Sequence, residues 1–317
     1  MEARREADLR TFEPVGAENL EDLRAFCRRH RPRLDDSFLT DDELAMLAPS
    51  EDAPGWLLRE DAAGGPPGGV RAAASLLLDA YHRRGRRARF RILFDAADDP
   101  ATYAAFLELL RPAAAAAGAE HWFLFVPDGE DALRVRLEGL GFRYERSGWV
   151  LERGPLPVAP TELPSGVRIR SFAPGRDEAA FAAVRNAAFR TLAGSTPITA
   201  EDVAARVAEP CDTPPGIFLL EADGQAAGVV FGTRDAGDDG GEPAIEIGPL
   251  AVRPEFQGRG FGTLLLRHAI RYGQERAGLP RAVLSVNAEN RGALALYLRE
   301  GFEIRRGLHC LRQELAR

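Results

Sequence analysis

Short apolar runs alternate along the chain with longer segments of helical periodicity. In the second half, two apolar runs flank the turn sequence Asp223-Gly224, which predicts a pair of strands. A further apolar run covers residues 244–252, a helix-like pattern follows at 264–278, and residues 282–286 form another short apolar run. Strands in succession followed by strand–helix alternation predict an α+β fold with a mixed, mostly antiparallel sheet flanked by helices.

Parts of the chain repeat at a spacing of 160 residues. Leu140-Gly141-Phe142-Arg143 corresponds to Glu300-Gly301-Phe302-Glu303, and residues 9–14 resemble residues 169–174. A period this long indicates duplicated domains. Between the halves lies a stretch of prolines, which cannot extend a helix or donate within a sheet. We therefore expect two tandem lobes, at residues 1–153 and 167–317, joined by a proline-rich linker at 154–166.

The composition is that of a globular chain long enough for two hydrophobic cores. Of its 317 residues 45% are hydrophobic and 28% charged, and the formal net charge is −7. This negative charge argues against a nucleic-acid partner, and no apolar run approaches the ~18 residues of a membrane span. The three cysteines, Cys27, Cys211 and Cys310, are scattered and lack metal-ligand spacing. We expect a cytoplasmic monomer or homodimer without a metal.

A glycine-rich turn at residues 253–263 is the best clue to function. Gly258, Gly260 and Gly262 lack a Cβ, so successive backbone N–H groups can converge at the start of a helix, where the macrodipole is positive. Such a point binds phosphate. The chain contains no lysine, which excludes a P-loop, and Thr263 stands where a Rossmann turn needs its third glycine.

The turn fits the pattern Q-x-x-G-x-G and resembles the phosphate loop of the GNAT superfamily of acetyl-CoA-dependent N-acetyltransferases. A second motif follows in the expected order, with Asn290, Ala293, Leu296-Tyr297 and Gly301-Phe302 resembling the family's N-x-x-A-x-x-L-Y-x-x-x-G-F helix and turn. The resemblance implies that acetyl-CoA is the co-substrate. It implies a cofactor site formed by Leu250, Ala251, Val252, Gln257, Gly258, Arg259, Gly260, Phe261, Gly262, Thr263, Asn290 and Tyr297.

Thioester aminolysis requires a base for the ammonium, a donor for the oxyanion and a proton for the departing thiolate. The resemblance implies that a backbone N–H at a strand bulge holds the thioester carbonyl. Because Pro249 has no N–H, we expect the Leu250 N–H to donate to this carbonyl. The alternative is that Pro249 is an ordinary proline of an edge strand without a bulge. The resemblance implies that Tyr297 protonates the thiolate; a core aromatic is the alternative. We expect Glu246 to be the base, because it shares a strand face with Leu250; a solvated edge glutamate is the alternative.

Three further residues attract attention for their chemistry. Asn290 resembles the family asparagine that contacts the cofactor, and an N-cap role is compatible with that contact. His268 lies within a helical pattern and His309 in a strand-like run. We expect ordinary structural roles for both histidines.

The first lobe lacks the phosphate loop. At the 160-residue offset, Arg259-Gly260-Phe261-Gly262 falls on Asp99-Pro100-Ala101-Thr102, and residues 90–94 fall on the strand before the loop. The proline removes an N–H, and the acids Asp98 and Asp99 would repel a pyrophosphate. We expect a degenerate first lobe and a single cofactor site on the second.

The predicted function is N-acetyl transfer from acetyl-CoA to a primary amine of a small molecule or peptide. Two alternatives stay open. The two lobes, the run at residues 184–189 and the stretch at 205–219 are similar to mycothiol synthases, which acetylate a thiol-sugar amine. An acyl-CoA-binding regulator without turnover is the other. An acidic loop could attract a cationic acceptor or simply be solvated; it contains Asp235, Asp238, Asp239 and Glu242.

Overall fold

The structure is a computed structural model that describes residues 12–35, 50–60, 68–209, 216–235 and 242–315. The chain forms two compact units. The first comprises residues 1–147 together with 308–317, and the second comprises residues 148–307. The acids at 238 and 239, Cys211 and the repeat segment at 9–11 lie outside the described residues.

The first unit contains a sheet whose strand order is β1-β2-β3-β4-β5-β12. Strand β12 pairs antiparallel with β5, from Leu308 opposite Pro127 to Glu314 opposite His121. The elements in chain order are β1 (Phe12–Pro14), α1 (Leu20–His30), β2 (Gly55–Arg59), β3 (Val70–Leu77), α2 (Ala80–Arg84), β4 (Arg87–Asp95), α3 (Pro100–Ala116), β5 (His121–Pro127), α4 (Asp131–Gly139), β6 (Arg143–Arg153), which continues into the second unit, and β12 (Glu303–Glu314), which begins there.

The second unit has the strand order β6-β11-β10-β9-β8-β7. All its neighbouring strands pair antiparallel except β10 and β11, which are parallel. Its elements are β7 (Val167–Ser171), α5 (Glu178–Phe189), α6 (Ala200–Val207), β8 (Gly216–Ala222), β9 (Gln225–Asp235), β10 (Ala244–Val252), α7 (Phe261–Tyr272), β11 (Arg281–Asn287) and α8 (Arg291–Arg299).

Alternation along the strands of the second unit creates two cores. Val230 of β9 packs in a cluster with Leu265 of α7, whereas its neighbour Val229 packs with Phe181 of α5. Successive side chains of a strand point to opposite faces, so helices cover both faces of this sheet. The predicted α+β fold with mixed sheets is confirmed.

The repeat is visible in the structure. Helices α4 and α8 have nine residues each, lie 160 residues apart and end before Gly141 and Gly301, which have φ values of 95° and 87°. Strand pairing corrects the offset expected for one strand. The parallel pairing of β4 with β5 begins at Arg87 opposite His121, and that of β10 with β11 begins at Ala244 opposite Arg281. Residues 90–94 therefore correspond to residues 247–251, three positions earlier than the constant offset suggested, because the second unit has a longer loop before its helix.

The two units do not follow a linear boundary at residue 153. Residues 148–153 of β6 pair with β11 in the second unit, and residues 308–314 of β12 pair with β5 in the first. Residues 154–166 form neither helix nor strand. The guanidinium of Arg153 fixes the start of this stretch by donating to the carbonyls of Leu156 and Pro157 at 2.8 and 2.9 Å.

Among the described residues, no helix has both the length and the apolar character that crossing a membrane requires.

Candidate active site

Strands β10 and β11 diverge and leave a wedge between them. They pair only from Ala244 to Glu246 on β10 and from Arg281 to Val283 on β11. Beyond this point β10 continues along β9 and β11 continues along β6, so each strand keeps one partner. Along the edges that face the wedge, the backbone N–H and C=O groups have no partner in a neighbouring strand, so a ligand can form hydrogen bonds with them.

The bulge predicted in β10 is confirmed. The register with β9 shifts between Ile247 and Leu250, and the Gly248–Pro249 peptide is cis. Beyond the bulge, the Arg253 N–H donates to the Ala227 carbonyl on β9 at 2.9 Å. Because N–H directions alternate along a strand, those of Val252 and Leu250 point away from β9 and into the wedge.

A cavity of about 700 Å³ lies along the β10 side of this wedge and is also lined by residues of α8. Its size is that of a small-molecule site. It brings together eleven of the twelve predicted cofactor residues, all except Arg259. The lining comprises Ala187, Ala188, Phe189, Arg190, Thr191, Leu192, Leu250, Ala251, Val252, Pro254, Phe256, Gln257, Gly258, Gly260, Phe261, Gly262, Thr263, Asn290, Gly292, Ala293, Leu296, Tyr297 and Arg299.

The glycine turn has a backbone geometry that suits an anion. Gly258 and Gly260 have φ values of 77° and 79°, which favour glycine, and Gly260 is the N-cap of α7. The Gly260 carbonyl accepts the Leu264 N–H at 3.1 Å, but Gly260 has no side chain that could accept the N–H groups before it. These donors and the positive end of the helix dipole are available to an anion in the cavity.

Arg259 is the predicted residue that the cavity does not include. Its guanidinium lies 3.3 Å from the Asp223 carboxylate and stacks over the Phe256 ring at 5.1 Å. The Arg259 guanidinium therefore lies outside the cavity lining.

Tyr297 lies in the cavity wall with 7% of its surface exposed, and its ring meets Phe302 edge-on at 5.9 Å. Burial raises the pKa of Tyr297 to about 12. The hydroxyl is thus protonated at neutral pH and can donate a hydrogen bond. Asn290 caps α8, because its side-chain oxygen accepts the Ala293 N–H at 3.3 Å.

Glu246 lies on β10 but does not line the cavity. Its side chain is accessible to solvent, although surrounding protein displaces part of its hydration. This desolvation raises the pKa of the Glu246 carboxyl, and the negative charge of Asp235 adds to the rise, while Arg206 of α6 opposes it.

Sequence reasoning missed one wall of the cavity, formed by residues 187–192 at the end of α5 and after it. Asn186 holds the segment that follows: its amide donates to the Ile198 carbonyl at 2.7 Å and accepts the Ile198 N–H at 2.9 Å. Arg185 donates to the Thr196 carbonyl at 2.5 Å. The polar pair Arg185-Asn186 within an apolar helix was the available signal.

The two candidate histidines have structural contacts outside the cavity. His268 on α7 meets the Phe218 ring at 4.4 Å, and burial lowers the pKa of this histidine. His309 belongs to the first unit, where it lies within hydrogen-bond distance of Ser147 and Asp128.

The equivalent wedge of the first unit is nearly filled. The space beside Ile92 and Leu124 measures about 20 Å³, and Leu133 lines it where the second unit has Ala293. The N-cap of α3 is Asp99, whose carboxylate accepts the Ala101 N–H at 3.0 Å. The chain's own carboxylate therefore occupies a helix start that glycine leaves open in the second unit.

No group of three or more His, Cys, Asp or Glu side chains that could hold a metal occurs within the described ranges.

Comparisons with known proteins identify the family. The sequence profile of the acetyltransferase (GNAT) family matches residues 185–302. The mycothiol acetyltransferase of Thermomonospora curvata is 36% identical over 238 residues, which are 74% of this chain and 72% of that protein. The chain belongs to the GNAT family of acetyltransferases.

Within this family the chain is similar to mycothiol acetyltransferases. The one from Streptomyces avermitilis is 38% identical over 176 residues, so the match spans 55% of this chain and only 56% of the relative's length. A tandem GNAT protein from the clavulanic acid biosynthesis pathway superposes with a TM-score of 0.70 at 15% identity, over 96% of this chain and 98% of that protein. This last likeness establishes a tandem GNAT fold.

Proposed function

We propose that this chain transfers an acetyl group from acetyl-CoA to a primary amine of a small molecule or peptide. The observation that carries the proposal is the wedge between β10 and β11, which has the Leu250 and Val252 N–H groups along one edge and the glycine-capped start of α7 at its end. A pantetheine arm fits the edge, and a pyrophosphate fits the helix start.

The thioester carbonyl would accept a hydrogen bond from the Leu250 N–H, which stabilises the negative charge that develops on its oxygen. Val252 would pair its backbone with the pantetheine arm. A backbone donor at a bulge is fixed by the fold, so little reorganisation accompanies the reaction.

Tyr297 would donate a hydrogen bond to the departing sulfur. With the pKa of Tyr297 at about 12 and that of a thiol at ~8.5, complete proton transfer to the thiolate is uphill by roughly 5 kcal/mol. We infer that Tyr297 stabilises the thiolate as a neutral donor and shares its proton only as the charge develops.

Glu246 would accept the proton of the acceptor ammonium, directly or through a water. A raised carboxyl pKa supports this role, because a stronger base removes an ammonium proton more readily. Its solvent access and its position outside the cofactor cavity suit a group that faces the acceptor.

A mycothiol-type acceptor, the amine of a thiol sugar, is the second candidate. It is favoured by the similarity to proteins named mycothiol acetyltransferase. A cytoplasmic location, the oligomeric state and single-site binding remain predictions.

The test is thiol release from acetyl-CoA over a panel of amines that includes a thiol-sugar amine, with a mass measurement of the acetylated product. We expect product from at least one amine. Tight acetyl-CoA binding without product from any amine would favour the regulator that binds acyl-CoA without turnover. Absence of acetyl-CoA binding would reject the proposal.

A further inference from the structure

The charges that line the candidate cavity all have one sign. Its lining includes Arg190 and Arg299, and it includes no aspartate or glutamate among the described residues. The remaining lining is apolar, glycine or neutral polar. Two cations that share a cavity repel each other, and a polyanionic ligand removes this cost.

These two arginines also differ from their neighbours in lacking a carboxylate partner. Within the described part of the chain, neither forms an ion pair or a side-chain hydrogen bond, and both side chains are exposed. By contrast, Arg267 of α7 pairs with Glu300 at 2.7 Å, and Arg259 pairs with Asp223 at 3.3 Å. A guanidinium whose N–H groups have no other acceptor can bind a phosphate through two parallel hydrogen bonds.

Both arginines line the same cavity as the glycine loop. Arg299 is the last residue of α8, one turn after Leu296, whose Cδ2 would lie 3.4 Å from a Cβ on Gly262 of the phosphate loop. Arg190 begins the segment that Asn287, at the end of β11, ties down by donating to the Ala193 carbonyl at 3.3 Å. Arg299 thus follows the turn of α8 that lies near the glycine loop, and Arg190 precedes the segment that contacts the end of β11.

We propose that Arg190 and Arg299 bind phosphate groups of the acyl-CoA ligand and form a second anchor beside the glycine loop. The inference rests on the proposed function, because it names further contacts to the same ligand. The anchor acts through side-chain charge, whereas the loop acts through backbone N–H groups. It therefore discriminates ligands by their phosphates and leaves the thioester chemistry unchanged.

The test combines two protein variants with three ligands. Arg190→Gln and Arg299→Gln remove one charge each, and Arg291→Gln, on α8 but outside the cavity lining, is the matched control. Calorimetry measures the affinity for acetyl-CoA, for its 3′-dephospho form and for acetyl-pantetheine, which has no phosphate. We expect about tenfold weaker acetyl-CoA binding for each variant, as for a lost hydrogen bond between charged groups, and no loss for acetyl-pantetheine.

Salt dependence gives a second readout that needs acetyl-CoA alone. Loss of a phosphate contact should reduce the dependence of log Kd on log salt concentration in both variants and not in Arg291→Gln. The dephospho ligand tells which phosphate is bound: an arginine that contacts the 3′-phosphate loses its effect there, and one that contacts the pyrophosphate keeps it.

Two results would overturn the inference: unchanged acetyl-CoA affinity and salt dependence in both variants, or equal losses for acetyl-CoA and acetyl-pantetheine with an unchanged salt dependence. If the wild-type protein binds acetyl-CoA, either of these results leaves the proposed function intact. Failure of the wild-type protein to bind acetyl-CoA would reject the proposed function itself.

Discussion

Replacing Gly260 by aspartate is the most direct perturbation of the proposed cofactor site. Gly260 has φ 79° and ψ 2°, and a Cβ built on it meets no atom within 4 Å. Substitution therefore costs backbone strain of about 1–2 kcal/mol without a steric clash. The aspartate also places a carboxylate at the helix start, as Asp99 does in the first unit.

The charge term sets the expected effect on binding. A carboxylate ~5 Å from one phosphate charge, at an effective dielectric constant of ~20, costs about 3 kcal/mol. Affinity for acetyl-CoA should then fall on the order of 100-fold, and further if the carboxylate also occupies the N–H groups of the first turn. Gly260→Ala carries the strain without the charge and should lose much less affinity.

The assay is calorimetry with acetyl-CoA on the wild-type, Gly260→Ala and Gly260→Asp proteins, with thermal unfolding of each. A similar melting temperature for the two variants shows that their strain is matched, so their difference in affinity measures the charge. If the folded aspartate variant binds acetyl-CoA as tightly as the alanine variant, no phosphate lies at this helix start and the assignment of the loop is wrong.

The remaining predictions concern the chemistry and the number of sites. Tyr297→Phe keeps the ring and removes the donor, so kcat should fall by roughly 10²-fold with little change in the Kd for acetyl-CoA; unchanged turnover would make Tyr297 a packing residue. Because the pKa of Glu246 is raised, kcat/KM should fall as pH decreases through a value above the ordinary carboxyl range, and Glu246→Gln should lower the rate and abolish this limb; an identical pH profile in the variant would assign the base elsewhere. Because Leu133 and Asp99 close the first unit's wedge, titration should give one acetyl-CoA per chain, and a stoichiometry of two would contradict this.

Much of the fold could be predicted because its signals are local. The apolar run at 244–252 became β10, and the run at 282–286 became the centre of β11. The proline at 249 indicated the bulge, since it removes a donor from the ladder. The glycine turn stands at the start of α7 as expected, because only a residue without a Cβ adopts its backbone conformation freely.

The candidate site was harder to predict because part of it lies far away in sequence. The glycine-capped helix α7 and Tyr297 of α8 carry recognisable motifs, whereas the wall at 187–192 depends on side chains that reach across a loop, such as Asn186 to Ile198. Arg259 has the charge expected of a phosphate ligand, but it pairs with Asp223, which is 36 positions away in the chain. A sequence shows the charge of an arginine and not the partner that neutralises it.

The sequence by itself predicted several strands, the duplication and the glycine turn before α7, because periodicity, backbone freedom and missing donors are properties of neighbouring residues. Only the tertiary structure decided which strands complete each unit and which residues enclose the cavity. Strand β12 pairs with β5 and β6 with β11, although the chain order of the repeats suggests a simple division between two halves. Such pairings join strands that are distant in sequence, so the pattern of neighbouring residues does not predict them.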